Sequence, residues 1–220
     1  RIISESVHFN MEADSLNAAV LGKDAAPGTE EFDLFIKEVR KEVTVKCGQK
    51  CTAIRRVIVP QEYVEDVQIA LGKAFGKTVV GNPRNESVRM GSLAAMSQRI
   101  DVLEKLELLK KESSIVFGDP SKAELIDASF EHGAFISPIL LLNSDPFKHV
   151  STHEVEAFGP ITTLMPYDHL DDAIALTKMG KGSLVCSITT HDDRIAKDFV
   201  IGSASHHGRI LVLNRESAPE

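Results

Sequence analysis

Apolar residues recur along this chain in two spacings, and each change of spacing marks a change of element. Phe32, Phe35, Ile36, Val39 and Val43 fall three and four apart, as one stripe of a helix does. Thr29 stands where that helix needs an N-cap, and Glu30 and Glu31 occupy the first turn, where the positive end of the helix dipole favours them. A second helix is predicted after Pro60, with Tyr63, Val64, Val67, Leu71, Ala74 and Phe75 on one face. A third is predicted over 94–111 with Met96, Ile100 and Leu103 as its stripe, and two more over 170–177 and 192–201. Strand-length apolar runs lie at 7–11, 18–21, 54–59, 114–117, 139–142, 161–165, 184–188 and 210–213. Polar turns at 12–15, 25–28 and 81–83 separate them, and 145–160 reads as a long polar connection ending in Phe158, Gly159 and Pro160. Strands alternating with helices of this length predict βαβ units, hence a three-layer α/β fold with a mainly parallel sheet flanked by helices.

Composition narrows the function classes. With 220 residues and 43% hydrophobic content the chain can bury a full core, and residues 1–220 are predicted to form one domain. No apolar run approaches the ~20 residues of a spanning helix, and residues 1–10 lack the apolar stretch of a signal peptide. A net charge of -7 with scattered basic residues argues against a nucleic-acid partner. Three cysteines are too few for a disulfide framework and suit a reducing compartment, which makes the cytoplasm the expected location. A start at Arg1 rather than Met, and an end directly after a strand, suggest a piece of a larger protein. Neither GxGxxG nor GxxxxGK[ST] occurs, so the domain that would hold most of a dinucleotide is expected outside this sequence.

The candidate nucleophile is Cys51, on a glycine-containing turn between the first long helix and the strand at 54–59. Attack requires a thiolate, and Lys50, Arg55 and Arg56 bring positive charge close in sequence. Cys47, four residues earlier, is expected to line a wall, since no second cysteine pair exists to complete a zinc site. His149 and His153 have the i, i+4 spacing of two metal ligands but no HExxH glutamate between them, and His206 and His207 read as a polar turn.

The stretch GQKCTAIRRVIVP resembles the catalytic-cysteine signature of the aldehyde dehydrogenase superfamily. Glu12, one strand and one helix earlier, is similarly placed to that family's general-base glutamate, although the common Glu-Leu-Gly-Gly is here Glu12, Ala13, Asp14, Ser15. Glu156-Ala157-Phe158-Gly159-Pro160 resembles the family's Glu-x-Phe-Gly-Pro, whose glutamate bonds the nicotinamide ribose and whose phenylalanine packs beside the nicotinamide. The late run Gly208 to Asn214 resembles the family's glycine-to-asparagine strand, so the resemblance covers nearly the whole chain. EADSLNAAVL, VRKEVTVKCGQKCTAIRR and KMGKGSLVCSI are similar to the branch that oxidises CoA-linked semialdehydes after aromatic ring opening, in the phenylacetate and benzoyl-CoA pathways alike.

This resemblance implies NAD- or NADP-dependent oxidation of an aldehyde. Cys51 would be the nucleophile, Glu12 the base, and Glu156 and Phe158 the cofactor contacts. It also implies a nucleotide-binding portion outside the sequence, which supplies an oxyanion-hole asparagine, and a homo-oligomer as the full-length form. Two rival readings remain: a cofactor-independent cysteine hydrolase or thioesterase, for which no motif marks a histidine partner, and a non-catalytic assembly module.

Overall fold

Seven strands make one sheet in the order β4-β6-β7-β2-β1-β8-β9 in a computed structural model that describes residues 15–217. They are β1 (Ala18–Leu21), β2 (Arg56–Pro60), β4 (Ser114–Phe117), β6 (Ile139–Leu142), β7 (Ile161–Tyr167), β8 (Ser183–Thr189) and β9 (His207–Leu213). Every pairing is parallel except β4 with β6. Two-residue strands β3 (Val80–Gly81) and β5 (Leu125–Ile126) form a small parallel sheet of their own. The run expected at 7–11 lies outside the described residues.

Alternate residues of the central strands enter different cores, which is why these strands are apolar throughout. Ala19 and Leu21 of β1, with Val57 and Val59 of β2, pack under α1 (Glu30–Thr44) and α2 (Val64–Gly76). Ala18, Val20 and Ile58 point the other way, into the core beneath α4 (Leu170–Met179) and α5 (Asp193–Ser203). A third cluster sits under α3 (Met96–Leu109) and takes in Ile139 and Leu141 of β6. The expected three-layer, mainly parallel architecture is therefore present.

Details of the sequence reading need correction in three places. In α3 the buried residues are Val102, Leu106 and Leu109, whereas Met96 and Ile100 are exposed. The connection at 145–160 contains a short 3-10 helix, Ser151–His153, and buries Thr152, His153 and Glu156. His207 is not in a turn: it opens β9, with its Nδ1 2.8 Å from Ser183 Oγ.

Candidate active site

The helix α1 delivers the chain to the site, and its end explains the shape of the turn. Thr29 accepts from the Phe32 N–H at 3.2 Å and starts the helix, while Phe35, Val39 and Val43 anchor it in the core. Beyond Thr44 the chain enters a 3-10 turn, Val45–Gly48, in which Lys46, Cys47 and Gly48 take φ of 54°, 55° and 69°. Left-handed backbone at two consecutive residues other than glycine is costly, and it persists where surrounding contacts over-determine it. Gly48 has a further reason to be glycine: an added Cβ would fall on the Gly159 carbonyl. The cysteine turn thus rests directly on the Gly159–Pro160 peptide.

Cys51 is exposed, in the turn that follows. The turn is fastened from several sides. Asn17, buried just before β1, donates through Nδ2 to the carbonyls of Cys51 and Ala53, both at 2.9 Å, while its Oδ1 accepts from the Val185 N–H at 3.0 Å. Gln49 accepts from the Ala94 N–H at 2.7 Å and donates to Gln98 at 3.1 Å, tying the turn to the start of α3. A cavity of about 270 Å³ lies against the turn, lined by Lys50 and Thr52 on either side of Cys51 together with Asn17, Glu42, Val185 and Arg209.

The three nearby cations all have other partners. Lys50 is paired with Glu42 of α1 at 2.7 Å. Arg56 is fully buried and donates to the carbonyls of Leu16, Leu176 and Thr177, so it caps the last turn of α4. Its Nη1 also lies 3.0 Å from His153 Nδ1. A guanidinium can only donate, so Nδ1 accepts and the His153 proton resides on Nε2, which faces the Pro146 carbonyl at 3.0 Å. Burial, then the charge of Arg56, hold the His153 imidazole down to about 4. His153 is thus a neutral core group rather than half of a metal pair, and no cluster of three or more candidate metal ligands occurs among the described residues.

Arg55 is the cation that joins the site together. Its Nε donates to Glu156 Oε1 at 3.1 Å, Nη1 to the Gly159 carbonyl at 2.7 Å and Nη2 to the Gly48 carbonyl at 2.7 Å. Its guanidinium carbon also lies 5.3 Å from the centre of the Phe158 ring. Glu156, itself buried, accepts from the Ser15 N–H at 3.0 Å with its other oxygen. Of the residues expected from sequence, the fold therefore brings Cys51, Glu156 and Phe158 into one neighbourhood, while Glu12 lies outside the described residues. Asn17 and Gln49 were not anticipated as site residues, and Arg55 was anticipated only as positive charge near the thiol. Asn17 carried one faint signal, a lone amide heading an apolar strand.

The other two thiols are walls. Cys47 and Cys186 are buried, and burial pushes each thiol up to about 12. The site as a whole gathers where β1, β2, β7 and β8 begin. Open α/β sheets more often bind ligands at the carboxyl ends of their strands. The chemistry available here is that of an accessible thiol on a turn that Arg55 ties to a fixed carboxylate, with a half-buried aromatic ring near the same guanidinium.

The model described as "Aldehyde dehydrogenase family" matches residues 4–210. The 3,4-dehydroadipyl-CoA semialdehyde dehydrogenase of Aromatoleum evansii is 42% identical over 213 residues, 97% of this chain and 41% of that protein. Protein MaoC of Klebsiella aerogenes is 39% identical over 132 residues, 60% of this chain and 38% of that one. The chain spans about two fifths of the length of these relatives. Among solved structures, betaine aldehyde dehydrogenase from Staphylococcus aureus in complex with NAD+ matches with a TM-score of 0.84 at 20% identity, covering 96% of this chain and 40% of that one. A mutant aldehyde dehydrogenase from Bacillus cereus matches with a TM-score of 0.82 at 21% identity, over 96% and 40%. At such identities the likeness concerns the fold.

Proposed function

The chain belongs to the aldehyde dehydrogenase family, and from that premise we propose that residues 1–220 are the catalytic domain of an NAD- or NADP-dependent aldehyde dehydrogenase. The observation that carries the reading is that Cys51, alone exposed among the three cysteines, sits on a turn locked against the Glu156–Pro160 segment. The proposed substrate is a CoA-linked semialdehyde from aromatic-acid degradation, supported by the relative of that activity at 42% identity. The cavity bordered by Lys50 and Thr52 is the space we assign to the aldehyde chain.

One end of a nicotinamide dinucleotide suits the residues present. Among the described residues each Glu156 oxygen has one donor, which leaves a lone pair for a ribose hydroxyl, and the Phe158 ring is half-exposed beside it. When bound, the cofactor supplies the two-electron oxidation. In the proposed sequence the Cys51 sulfur adds to the aldehyde carbon and forms a thiohemiacetal. Loss of two electrons and two protons from its H–C–O–H unit leaves a thioester on Cys51. Glu12 then takes a proton from water, which attacks the thioester carbon and releases the carboxylic acid and the thiol. Residues beyond this chain are proposed to hold the rest of the cofactor and an oxyanion-hole asparagine. The homo-oligomer is likewise a proposal for the full-length protein. Three unpaired cysteines support the cytoplasm as its location, and among the described residues no helix is long and apolar enough to cross a membrane.

Rapid-quench kinetics on the intact enzyme test both roles. Cys51→Ser should form no NAD(P)H and trap no acyl adduct. Glu12→Gln should give a burst of about one NAD(P)H per site, then turn over ~10²-fold or more slowly as acyl-enzyme accumulates. Aldehyde oxidation by Cys51→Ser at the wild-type rate sinks the proposal, and wild-type turnover in Glu12→Gln removes that residue from it.

A further inference from the structure

The reaction proposed above gives Arg55 no part, yet its side chain is 4% exposed and its guanidinium bridges the cysteine turn to the Glu156–Gly159 segment. The three acceptors belong to stretches far apart in sequence: Gly48 in the cysteine turn, and Glu156 and Gly159 about a hundred residues on. The guanidinium is planar and its N–H groups form a rigid fork. A tilt that follows one acceptor therefore displaces the hydrogens aimed at the other two. Gly48 cannot yield independently, because its left-handed backbone already lies against the Gly159 carbonyl. Arg56, the adjacent residue, serves as an internal contrast: its side-chain contacts run to α4, to Leu16 just before β1 and to His153, and include neither the cysteine turn nor Glu156.

We propose that Arg55 is a positioning residue that couples the Glu156–Gly159 segment to the Cys51 turn, so that engagement of Glu156 by a ribose hydroxyl changes the reactivity of the thiol. The inference rests on the assignment of Glu156 to the cofactor and goes beyond it by naming the link. When a ribose hydroxyl donates to the carboxylate, the Arg55 Nε–H bond must share its acceptor. The planar group transmits that adjustment through Nη2 to the Gly48 carbonyl, three residues from Cys51. Coupling is reciprocal, so the state of the turn also alters how tightly the cofactor is held.

Two variants of the intact enzyme test this, with Cys51 labelling by iodoacetamide read by mass spectrometry, with and without NAD+ or NADP+. Among the described residues, Glu156 reaches the cysteine turn directly through Arg55 and by a longer path through Ser15 and Asn17, which Arg55→Lys leaves in place, and Glu156→Gln keeps the side-chain shape. Its Cys51 labelling rate should change about fivefold, at the low end of typical coupling between sites, and should no longer respond to cofactor. Arg55→Lys keeps the charge but cannot span three acceptors. It should raise the cofactor KM about tenfold and shift Cys51 labelling in the same direction as Glu156→Gln. A purely structural arginine would lower the thermal midpoint and leave the labelling response to cofactor intact, and that result overturns the proposal. Wild-type labelling in Glu156→Gln, with and without cofactor, also overturns it and decides alone if Arg55→Lys does not fold. Labelling is independent of turnover. Retained aldehyde oxidation in Cys51→Ser would therefore refute the proposed function without touching this result.

Discussion

Three thiols in one chain, one exposed and two buried, make an internal comparison at the scale of single residues. With Cys47 and Cys186 held up at about 12 by burial, their thiolate fraction at pH 8 is on the order of 10⁻⁴. Iodoacetamide should therefore modify Cys51 first, and preferential labelling of Cys186 would contradict the burial described here. Cys51, Glu156 and Phe158 were marked as candidates in the sequence because short contiguous motifs surround them. Arg55 was marked only as positive charge near the thiol. In sequence it is one of two adjacent arginines, a pattern that ordinarily means solvated charge, and its partner Glu156 is 101 residues away. Period-two alternation predicts that Arg55 and Arg56 point in opposite directions. It does not predict that both are buried, since that depends on carbonyls delivered by Gly48, Gly159, Leu176 and Thr177. Asn17 is hidden for the same reason: its acceptors at Cys51 and Ala53 meet it only once β1 and β2 pair.

At the scale of elements, helix caps and apolar stripes were legible where only one face is apolar. Helix α1 is such a case, and its Thr29 cap is directly testable. Thr29→Ala should cost about 1 kcal/mol and lower the thermal midpoint by roughly 2–4 °C. An unchanged midpoint would mean that the packing of Phe32, Phe35 and Val39 alone holds the helix start. Helix α3 is the opposite case. Met96, Ile100 and Leu103 satisfy the i, i+4, i+7 spacing, but Val102, Leu106 and Leu109 do so as well. The second set starts six residues along, which at about 100° per residue sets it roughly a third of a turn around the helix. Periodicity cannot choose between two such faces. Tertiary packing chooses, because Val102 covers Gly159 behind the cysteine turn. The strands β3 and β5 were missed because two residues carry no alternation. The buried segment around His153 was missed because the Arg56 guanidinium that faces its ring comes from a strand 97 residues away.

For the whole molecule, the neutral His153 makes stability depend on pH. Folded, it takes a proton only near pH 4, because of burial and the facing Arg56 charge; unfolded, it does so near 6.5. The unfolded chain therefore binds more protons below 6.5. Stability is full above that pH, falls as the pH drops towards 4 by up to about 3 kcal/mol, and is flat for this group below it. Burial lowers His207 to about 4 as well, so the two losses fall in one window. His153→Gln can still accept from Arg56 and donate to the Pro146 carbonyl. Denaturant titrations between pH 4 and 7 should therefore show a shallower fall for this variant, and an equal slope would mean that other groups set the acid limit.

The position of β1 has a consequence for how the protein is made. This four-residue strand has β2 on one side and β8 on the other, and Ala18 pairs with Arg56 and with Cys186. The second partner emerges 168 residues after the first strand (186 − 18). At ~5–20 residues per second that is roughly ten to thirty seconds of translation. Throughout that interval one edge of β1 is open, and the Asn17 Oδ1 has yet to meet the Val185 N–H that it accepts from in the finished site. The nascent chain can form α1 and α2 against β1 and β2 early, but the sheet that carries the cysteine turn is completed only when β8 leaves the ribosome. A pause or truncation before that point leaves an apolar strand edge available to other chains.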